Sequence, residues 1–574
     1  MITLGLNIFH GDAAACIFKN GKLITAVEEE RFTRIKHAAG FPSNSIKHCL
    51  NTLNIKLDEV DKITVNRNPK KRIFKKIIYA FKNRLKMINL KDRIYNYKKI
   101  TTLEDEFEKY FKFDKRNLKK KIFNVDHHLS HAASSVYASG YSETSYLTID
   151  GFGDFLSTTI GFFDGKNFNN LKEVEFPHSL GVFYSAITQY LGFKNYGDEY
   201  KVMGLSSYGK PKYLDKMKKI ISFDEKKLFK LNLDFFLHDK DGVEMSWLDG
   251  EPKIGTLYSN KLIRTFGPER TKEDQISQFH KDLASSAQKI YEEIFLKIIK
   301  QLSILSGSKN LCISGGCAMN SVANGKIIKE TNFKNIYMNS ATGDSGGAIG
   351  SGLMIIKKTF KPDQESLDSP YLGTSYDNEY VRKILKDMNI AYQYYDDFHE
   401  IIKIIAEKIS EKKIIGFFQD KMEFGPRALG NRSILADPRT VEIRDIINHK
   451  IKRRESFRPF APAILTEQAH KWFDVKKEVP FMSEVYKVLE DKKTLIPSVV
   501  HVDNTGRVQT VDKKYNYKFY NLIKQFDLLT GVPILLNTSF NENEPIVNDP
   551  KQAVDCFLRT EMDALVIQNF VISR

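Results

Sequence analysis

The chain begins with a pattern that occurs again later in the sequence. In residues 1–30, the apolar run ITLGLNI leads into the turn HGD, and AAACIF leads through Asn20-Gly21 into KLITAVEE. An Asn-Gly pair between two apolar runs is a strong signal for a β-hairpin. Residues 145–176 repeat this order, with SYLTID, an acidic glycine-containing turn, FLSTTIGFF and the turn Asp164-Gly165. We therefore predict two similar β-sheets in one chain.

The acidic residues of these turns indicate what the two sheets could hold. Asp12 lies in the first turn, and Asp150 and Asp154 lie in the second. Two sheets that each present a carboxylate after their first strand can face one nucleotide or metal ion across a cleft. This is the design of the superfold shared by actin, sugar kinases and Hsp70, so we expect a duplicated, actin-like α/β domain.

Two glycine-rich segments favour a nucleotide site. LCISGGCAMNSVANGKI at 311–327 and IYMNSATGDSGGAIGSGLMII at 336–356 each read as a strand, a glycine turn and the start of a helix. Glycine lets the main chain approach a ligand closely, and helix N-termini favour phosphate. Tight turns also need glycine, so neither loop is decisive alone. The candidate ATP-binding residues are Gly151, Gly153, Gly315, Gly316, Asn320, Gly343, Gly346, Arg427 and Arg432.

The string VDHHLSHAASS at 125–135 contains two histidines with helical spacing. Positions i and i+4 share one helix face, so His127 and His131 can converge on one metal ion. Asp150, at the end of an apolar run, would add a carboxylate. Such a set with open coordination positions favours Fe(II) or a similar divalent ion over structural zinc. A polar helix face is the alternative for an HxxxH pair taken alone.

The length of the chain predicts more than one domain, because 574 residues exceed a single ordinary core. Residues 359–371 are polar and contain two prolines, so we predict a linker there. It separates the actin-like domain, 1–358, from a second α/β domain, 372–574. Long helices are predicted at 271–306 and 398–411, and a strand at 413–419.

Composition and cysteine usage indicate the cellular compartment in which the protein is expected. The chain is 42% hydrophobic and 28% charged, as in globular proteins. No apolar run approaches the roughly 18 residues of a membrane span, and the start does not read as a signal peptide. The cysteines are odd in number and lack ligand-like spacing, which predicts reduced thiols in a cytoplasmic protein. They are Cys16, Cys49, Cys312, Cys317 and Cys556.

Most of the net charge of +17 lies in residues 67–99, which hold 13 lysines or arginines against the single acid Asp92. Apolar residues recur there at helical spacing, which predicts a basic amphipathic helix or helix pair. They are Ile73, Ile77, Ile78, Phe81, Leu85 and Ile88. Nucleic acid, an anionic membrane surface or an acidic glycan could bind such a segment. We retain peripheral contact with membrane or glycan, do not predict DNA, and keep a solvated helix as the alternative.

Three segments of the second domain place cations among aromatic residues, prolines and glycines: 424–439, 448–465 and 501–511. Arg458 is flanked by Phe457 and by Pro459-Phe460. An arginine in an apolar setting is costly unless it is paired, and guanidinium groups clamp phosphate or carboxylate. Small polar donors follow a strand at 535–547. Together these segments predict a pocket for a compact, highly charged anion, with Arg427, Arg432, Lys452, Arg454, Arg458, Arg507, Asn537, Thr538 and Ser539 as candidates.

Ten motifs in one order resemble the NodU/CmcH family of O-carbamoyltransferases nearly from end to end. They are HGDAAA, EEERFTRIKHAAGFP, DHHLSHAASS, IDGFGD, GDEYKVMGLSSYGKP, ISGGCAMNS, GDSGGAIG, FGPRALGNRSI, FRPFAPAIL and LNTSFN. The resemblance implies an actin-like (ASKHA) domain followed by a YrdC-like α/β domain. It also implies two reactions: carbamoyl phosphate and ATP give carbamoyl-adenylate, and an acceptor hydroxyl then takes the carbamoyl group.

The resemblance assigns residues to these reactions. The implied metal ligands are His127, His131, Asp150 and Asp344, and the implied divalent ion is Fe(II), with Mg(II) accompanying ATP. The implied carbamoyl-phosphate residues are Lys452, Arg458, Arg507 and Ser539. The implied catalytic residues near the acceptor are His10, Asp12 and Lys36. The chain departs from the family's commoner Tyr-His-Asp turn by having Gly11 after His10, and FNENEP is one residue shorter than FNxxGEP.

We therefore predict a cytoplasmic, ATP-dependent O-carbamoyltransferase acting on a hydroxyl of a sugar or sugar-containing metabolite. A tRNA threonylcarbamoyl-type enzyme is one alternative, although its two domains are normally separate proteins. A hydrogenase-maturation carbamoyltransferase is another, but it should carry cysteine-rich zinc motifs. The third is a non-catalytic regulator that binds nucleotide and metal, which predicts no carbamoyl-phosphate-dependent turnover of ATP.

Overall fold

The computed structural model describes residues 1–82, 102–113, 115–241, 245–247 and 249–574. They form two compact units, Met1–Asp368 and Ser369–Arg574. The boundary falls within the predicted linker 359–371, part of which forms the short helix Gln364–Asp368. This helix belongs to the first unit, where the hydroxyl of Ser366 accepts a hydrogen bond from the main-chain N–H of Leu23 at 3.1 Å.

The first unit is an α/β structure with two five-stranded mixed sheets. The first sheet has the order β3-β2-β1-β4-β5. Its strands are β1, Ile2–Asn7; β2, Ala14–Lys19; β3, Lys22–Glu28; β4, Lys62–Val65; and β5, Ile122–Asn124. The next strands are β6, Thr144–Gly153; β7, Leu156–Phe163; and β8, Phe168–Glu175.

Two small hairpins come before the rest of the second sheet. They are β9, Ile221–Asp224, with β10, Leu228–Leu231, and β11, Met245–Ser246, with β12, Lys253–Ile254. Strands β13, Asn310–Ser314, and β14, Asn335–Tyr337, then complete the second sheet. Its order is β14-β13-β6-β7-β8.

The two sheets share one topology, which confirms the predicted duplication. In each, three consecutive strands form an antiparallel meander, and two later strands add in parallel beside the first of them. The hairpin turn of the first sheet has positive φ at both Asn20 and Gly21, at 50° and 88°. A two-residue turn with this handedness matches the twist of the strands that it joins.

Helices of the first unit surround these sheets. Their bounds are Glu30–Thr33, Ser43–Leu53, Ile73–Lys82, Leu103–Phe111, Lys115–Lys119, His127–Val136, Leu180–Tyr190, Glu199–Ser206, Leu214–Lys218, His238–Asp241, Asn260–Phe266, Gln278–Ser306, Ser321–Asn324, Ile327–Glu330, Asp344–Ile356 and Gln364–Asp368. The long helix predicted at 271–306 begins at Gln278, because Ser277 and His280 form a capping box there.

Two buried helices cross closely beneath the first sheet. A Cβ atom at Gly350, in the helix Asp344–Ile356, would lie 1.8 Å from the carbonyl oxygen of Ser130 in the helix His127–Val136. Only glycine permits this approach, since a side chain there would collide with the neighbouring main chain. The contact brings the N-terminal ends of both helices, which carry His127 and Asp344, into one region.

The second unit contains an eight-stranded mixed sheet of order β15-β24-β23-β16-β17-β22-β18-β21 and a separate pair, β19-β20. The strands are β15, Gln393–Tyr394; β16, Ile415–Phe418; β17, Arg432–Ala436; β18, Ala461–Leu465; β19, Val485–Lys487; β20, Thr505–Arg507; β21, Gln509–Val511; β22, Ile534–Ser539; β23, Ala564–Ile567; and β24, Phe570–Ser573. The helices are Asn378–Asp387, Phe398–Ser410, Val441–Ile446, Tyr517–Thr530 and Pro550–Arg559.

The basic segment forms a helix, Ile73–Lys82, over its described part. The apolar stripe predicted there is not buried: Ile77 is 46% exposed and Ile78 is 61% exposed. Tyr79 packs instead, with its ring edge-on to Phe176, so the buried face is displaced from the predicted stripe. Leu85, Ile88 and the rest of 83–99 lie outside the described residues, and contact with membrane or glycan stays a prediction. Within the described ranges, no helix has the length and apolar character needed to span a membrane.

Candidate functional site

The first unit brings together the four residues predicted as metal ligands. One ligand atom from each of His127, His131, Asp150 and Asp344 lies within 4.8 Å of the others. The Nε2 atoms of the two histidines are 3.0 Å apart. Oδ2 of Asp150 is 2.9 Å from Nε2 of His127 and 3.3 Å from Nε2 of His131. Oδ1 of Asp344 is 3.5 and 3.3 Å from the same two nitrogens.

Local structure fixes the two histidines at the start of one helix. Asp126 is the N-cap of the helix His127–Val136, and its side chain accepts a hydrogen bond from the N–H of Leu129 at 3.2 Å. A carboxylate in this position satisfies an otherwise unpaired helix N–H. The carboxylate of Asp154 accepts hydrogen bonds from the N–H groups of His127 at 2.9 Å and Asn68 at 2.8 Å. The predicted HxxxH face is therefore real, and the first imidazole sits in the first helical turn.

The cluster is buried, and its imidazoles and carboxylates interact strongly with one another. Burial would raise the pKa of Asp150, but hydrogen bonds from His127 and His131 outweigh it and hold that pKa well below its ordinary value. Burial would lower the pKa of His131, but Asp150 and Asp344 raise it to about 9. These carboxylates therefore favour positive charge at the position of the two imidazoles.

The donor set suits a divalent cation. Oδ1 of Asp344 is buried and has no hydrogen-bond donor among the residues that the structure describes. A buried acceptor without a partner is costly, and a cation between this oxygen and the paired imidazole nitrogens would satisfy it. Two imidazoles and two carboxylates match the ligand preferences of Fe(II) and related ions.

His10 lies at the edge of the cluster. Its Nδ1 contacts Oδ2 of Asp344, and the attraction of that carboxylate outweighs burial to raise the pKa of His10. The side chain of Asn7 donates to the carbonyl oxygens of Gly11 at 3.1 Å and Asp12 at 2.7 Å, which shapes the turn after β1. The structure thus brings the predicted catalytic His10 to the predicted metal ligands.

Asp12 and Lys36, the other predicted catalytic residues, lie at an adjoining pair of loops. The partner of Asp12 is the imidazole of His37, whose Nδ1 is 2.8 Å from Oδ1 of Asp12. Lys36 is exposed. The ring of Tyr196 packs edge-on against His37, with the ring centroids 5.3 Å apart. Sequence reasoning missed His37 and Tyr196, because neither carries a spacing that marks it.

The glycine-rich loops surround the same cluster. The N–H groups of Gly151 and Gly316 point at Oδ1 of Asp150, at 2.8 and 3.2 Å. A Cβ atom at Gly153 would lie 1.9 Å from the ring of His127, so this glycine makes room for a ligand histidine. Asn320 caps the helix Ser321–Asn324. The nucleotide-binding role of these residues stays a prediction.

The other predicted glycines differ in their surroundings. Gly315 has φ of 98° and lies against the main chain of Ile149, where a Cβ atom would be 2.2 Å from the carbonyl oxygen. Gly346 packs as closely against Ala341. At Gly343 the nearest atom to such a Cβ is 3.6 Å away, in Met319. The first two glycines are therefore required by packing, whereas Gly343 leaves space at the start of the helix Asp344–Ile356.

In the second unit, Lys452 is buried beside the end of β22. Its Nζ donates to the hydroxyl of Ser539 at 3.3 Å and to the side-chain and main-chain oxygens of Asn541 at 2.6 and 2.8 Å. The structure therefore joins two predicted carbamoyl-phosphate residues, Lys452 and Ser539. It adds Asn541, which sequence reasoning missed, although the residue lies within the SFNENEP segment.

Four arginines of the second unit repel one another. Burial lowers the pKa of Arg507 well below its ordinary value, and the positive charges of Arg427, Arg454 and Arg458 lower it further. Nε of Arg454 donates to Oδ1 of Asn448 at 2.8 Å. Like charges that lie close together and are partly removed from water strongly favour the binding of an anion.

Arg432, also predicted to bind ATP, is engaged in the fold instead. It is fully buried, and its guanidinium group donates to the carbonyl oxygens of Asn431 at 3.0 Å, Thr374 at 3.1 Å and Asp420 at 3.2 Å. The group also stacks on the ring of Phe418 at 3.6 Å from the centroid. These bonds tie several loops together, so we leave Arg432 out of the nucleotide site proposed below.

Both units of the chain match models of known protein families. Residues 2–353 match the family model for the carbamoyltransferase N-terminus, and residues 406–574 match that for the carbamoyltransferase C-terminus. An uncharacterized protein of Synechocystis sp. is 36% identical over 100% of this chain and 96% of the relative. The nodulation protein NolNO of Sinorhizobium fredii is 36% identical over 99% of this chain and 80% of the relative. The nodulation protein NolO of Bradyrhizobium diazoefficiens is 36% identical over 78% of this chain and 79% of the relative. The chain therefore belongs to the NodU/CmcH family and is a carbamoyltransferase.

Proposed function

We propose that the chain is an ATP-dependent O-carbamoyltransferase that works through carbamoyl-adenylate. The observation that carries the proposal is the group of four half-buried arginines in the second unit, Arg427, Arg454, Arg458 and Arg507, whose positive charges disfavour one another and so favour a highly charged anion. We further propose that the first unit is actin-like and the second YrdC-like, in keeping with the shared topology of the two N-terminal sheets and with the ten family motifs.

The second unit would form the adenylate. Arg458 and Arg507 would clamp the phosphate of carbamoyl phosphate, and Lys452 would complete the site beside Ser539. Water attacks the phosphorus of carbamoyl phosphate, the bond from phosphorus to the bridging oxygen breaks, and inorganic phosphate and carbamate form. One carbamate oxygen then attacks the α-phosphorus of ATP, and pyrophosphate leaves with the electron pair of the broken P–O bond. Arg427, within the same group of cations, would balance the charge of the nucleotide phosphates.

The first unit would carry out the transfer. A divalent ion held by His127, His131, Asp150 and Asp344, which we propose to be Fe(II), would act as a Lewis acid and template for the adenylate. His10, fixed by its contact with Asp344, would orient the carbamoyl group. The glycine-rich loops would hold Asp150 in place, because the N–H groups of Gly151 and Gly316 donate to its carboxylate.

The acceptor is proposed to be a hydroxyl of a sugar or sugar-containing metabolite, on the strength of the family resemblance. Two relatives named as nodulation proteins match most of this chain. We identify the acceptor only by this chemical class.

Release of pyrophosphate tests the proposed function without knowledge of the acceptor. Purified full-length protein should release pyrophosphate from ATP only when carbamoyl phosphate is present, and inorganic phosphate should form in equal amount. Acetyl phosphate, which lacks the amino group, is the matched control and should give no release. Equal release of pyrophosphate with ATP alone, or no release with both substrates, would contradict the formation of carbamoyl-adenylate.

A further inference from the structure

His37 and Asp12 form a side-chain pair where two loops of the first unit meet. Nδ1 of His37 lies 2.8 Å from Oδ1 of Asp12, and the two side chains are 31% and 26% exposed. The main-chain N–H of Asp12 donates to the carbonyl oxygen of His37 at 3.2 Å. The N–H of Ala13 donates to Ala38 at 2.8 Å. The pair is thus held by the main chain on both sides, and Nε2 lies on the opposite edge of the ring from the carboxylate.

Both residues have backbone conformations that residues other than glycine rarely adopt. The φ angle is 54° at His37 and 57° at Asp12. Such conformations persist where the surrounding structure enforces them, and they are concentrated at active sites. The N–H of His37 also donates to Oε2 of Glu30 at 2.7 Å, which helps to hold the strained loop.

Contacts connect this pair to the proposed metal cluster. The ring of Tyr196 lies against His37, and a Cβ atom at Gly11 would be 2.6 Å from Oη of the same tyrosine. The next residue along the turn, His10, contacts Asp344. A Cβ atom at Gly197 would lie 2.4 Å from Nε2 of His37, so a side chain at this position would collide with the imidazole. Gly11 and Gly197 therefore leave room for the rings of Tyr196 and His37 beside the turn that carries His10.

An acid–base pair explains these residues better than a second metal site. Asp12, Glu30 and His37 do place three ligand atoms within 4.8 Å of one another. However, Oε1 of Glu30 pairs with Arg31 at 2.7 Å, and Oε2 accepts the N–H of His37. Both oxygens of that carboxylate are thus in use, whereas a histidine oriented by a carboxylate is the usual arrangement of a catalytic base.

We propose that His37 is the base for carbamoyl transfer and that Asp12 is its positioning residue, an inference that rests on the proposed function. The acceptor hydroxyl oxygen forms a bond to the carbamoyl carbon, and its proton moves to Nε2 of His37. The bond from that carbon to the adenylate oxygen breaks, and AMP leaves with the electron pair. The carboxylate of Asp12 stabilises the imidazolium, which then returns its proton to solvent.

The groups around His37 set the direction of the expected pH dependence. Asp12 faces it from the turn after β1, and Glu30 faces it from the first residue of the helix Glu30–Thr33. Lys36 precedes it in the chain, Tyr196 packs against it, and Glu199 lies in the helix that follows Tyr196. Burial and Lys36 lower the pKa of His37, but Asp12, first, and Glu30 raise it to about 9. The base form is present above this pKa, so the transfer rate should rise with pH and level off above it. Asp12→Asn should move the inflection to lower pH.

The experiment follows a single turnover of full-length protein with ATP, carbamoyl phosphate and water as the probe acceptor, whose O–H group is always present. The first-turnover burst of pyrophosphate reports the adenylate, and AMP reports the transfer. In His37→Gln, AMP release should slow by about a hundredfold or more, as for loss of a general base, while the pyrophosphate burst persists. His48→Gln, in the same unit, is the control and should match the wild type in both readouts.

The outcomes separate this inference from the function on which it rests. AMP release by His37→Gln within about twofold of wild type, or an unmoved pH inflection in Asp12→Asn, would overturn the role of the pair. Absence of the pyrophosphate burst in the wild type would overturn the proposed function itself. If a variant unfolds, titration of isotopically labelled histidine in the wild-type protein decides: an ordinary pKa for His37 contradicts the pairing with Asp12.

Discussion

Replacing His127 with alanine should remove the bound metal ion and slow carbamoyl transfer by at least about a hundredfold, since even residues that only support metal ligands contribute 10- to 100-fold. The variant loses one of four converging ligands, and the remaining carboxylates then hold a cation less tightly. The helix should persist, because its cap at Asp126 and its close crossing at Gly350 are untouched. Metal content by elemental analysis, circular dichroism and AMP release are the measurements.

The matched control for this variant is His128→Gln, one residue along the helix. Nδ1 of His128 hydrogen-bonds to Thr148 at 2.7 Å rather than facing the cluster, so metal content should be unchanged. Wild-type metal content together with wild-type transfer in His127→Ala would show that the cluster is not the metal site.

Replacing Arg507 with alanine should raise the concentration of carbamoyl phosphate needed for pyrophosphate release by about a hundredfold, the scale for losing one charge-stabilising donor. The same change should not lower thermal stability, because burial and the three neighbouring arginines already disfavour the charge of Arg507. Loss of activity with equal or higher stability is a signature that a purely structural arginine would not give. Inorganic phosphate should raise the melting temperature of the wild type more than that of the variant.

Two comparisons make this prediction specific. Arg382→Ala, an arginine of the same unit that lies over the ring of Tyr394 in β15, should leave pyrophosphate release unchanged. His10→Ala should retain pyrophosphate release and lose transfer. The opposite partition, with release lost in His10→Ala and retained in Arg507→Ala, would overturn the assignment of the two reactions to the two sites.

The predictions that held were those set by local chemistry. Asn20-Gly21 adopts the backbone conformation that a two-residue hairpin requires, so the turn could be placed from sequence alone. The four-residue spacing of His127 and His131 likewise placed both imidazoles on one helix face, because that placement depends only on the geometry of the helix. Asp344 is different: it is more than 200 positions from His131 in the chain, and only the family motifs placed it with the histidines.

The features that were missed depend on tertiary contacts. His37 pairs with Asp12 through two strained loops that have no apolar periodicity, so no spacing marks the pair. Arg432 and Arg458 both stand among apolar residues in the sequence. The structure separates them, because carbonyl oxygens surround Arg432 while Arg458 contributes positive charge at Arg507.

The fate of the carbamoyl oxygens tests the central claim most directly. Carbamoyl phosphate carrying a heavy oxygen isotope at the carbonyl and bridging positions is turned over with ATP, and AMP is analysed by mass spectrometry. If carbamate attacks the α-phosphorus and an acceptor later attacks the carbamoyl carbon, one heavy oxygen must remain on AMP. AMP without the isotope, alongside carbamoylated acceptor, would show that no carbamoyl-adenylate lies on the pathway.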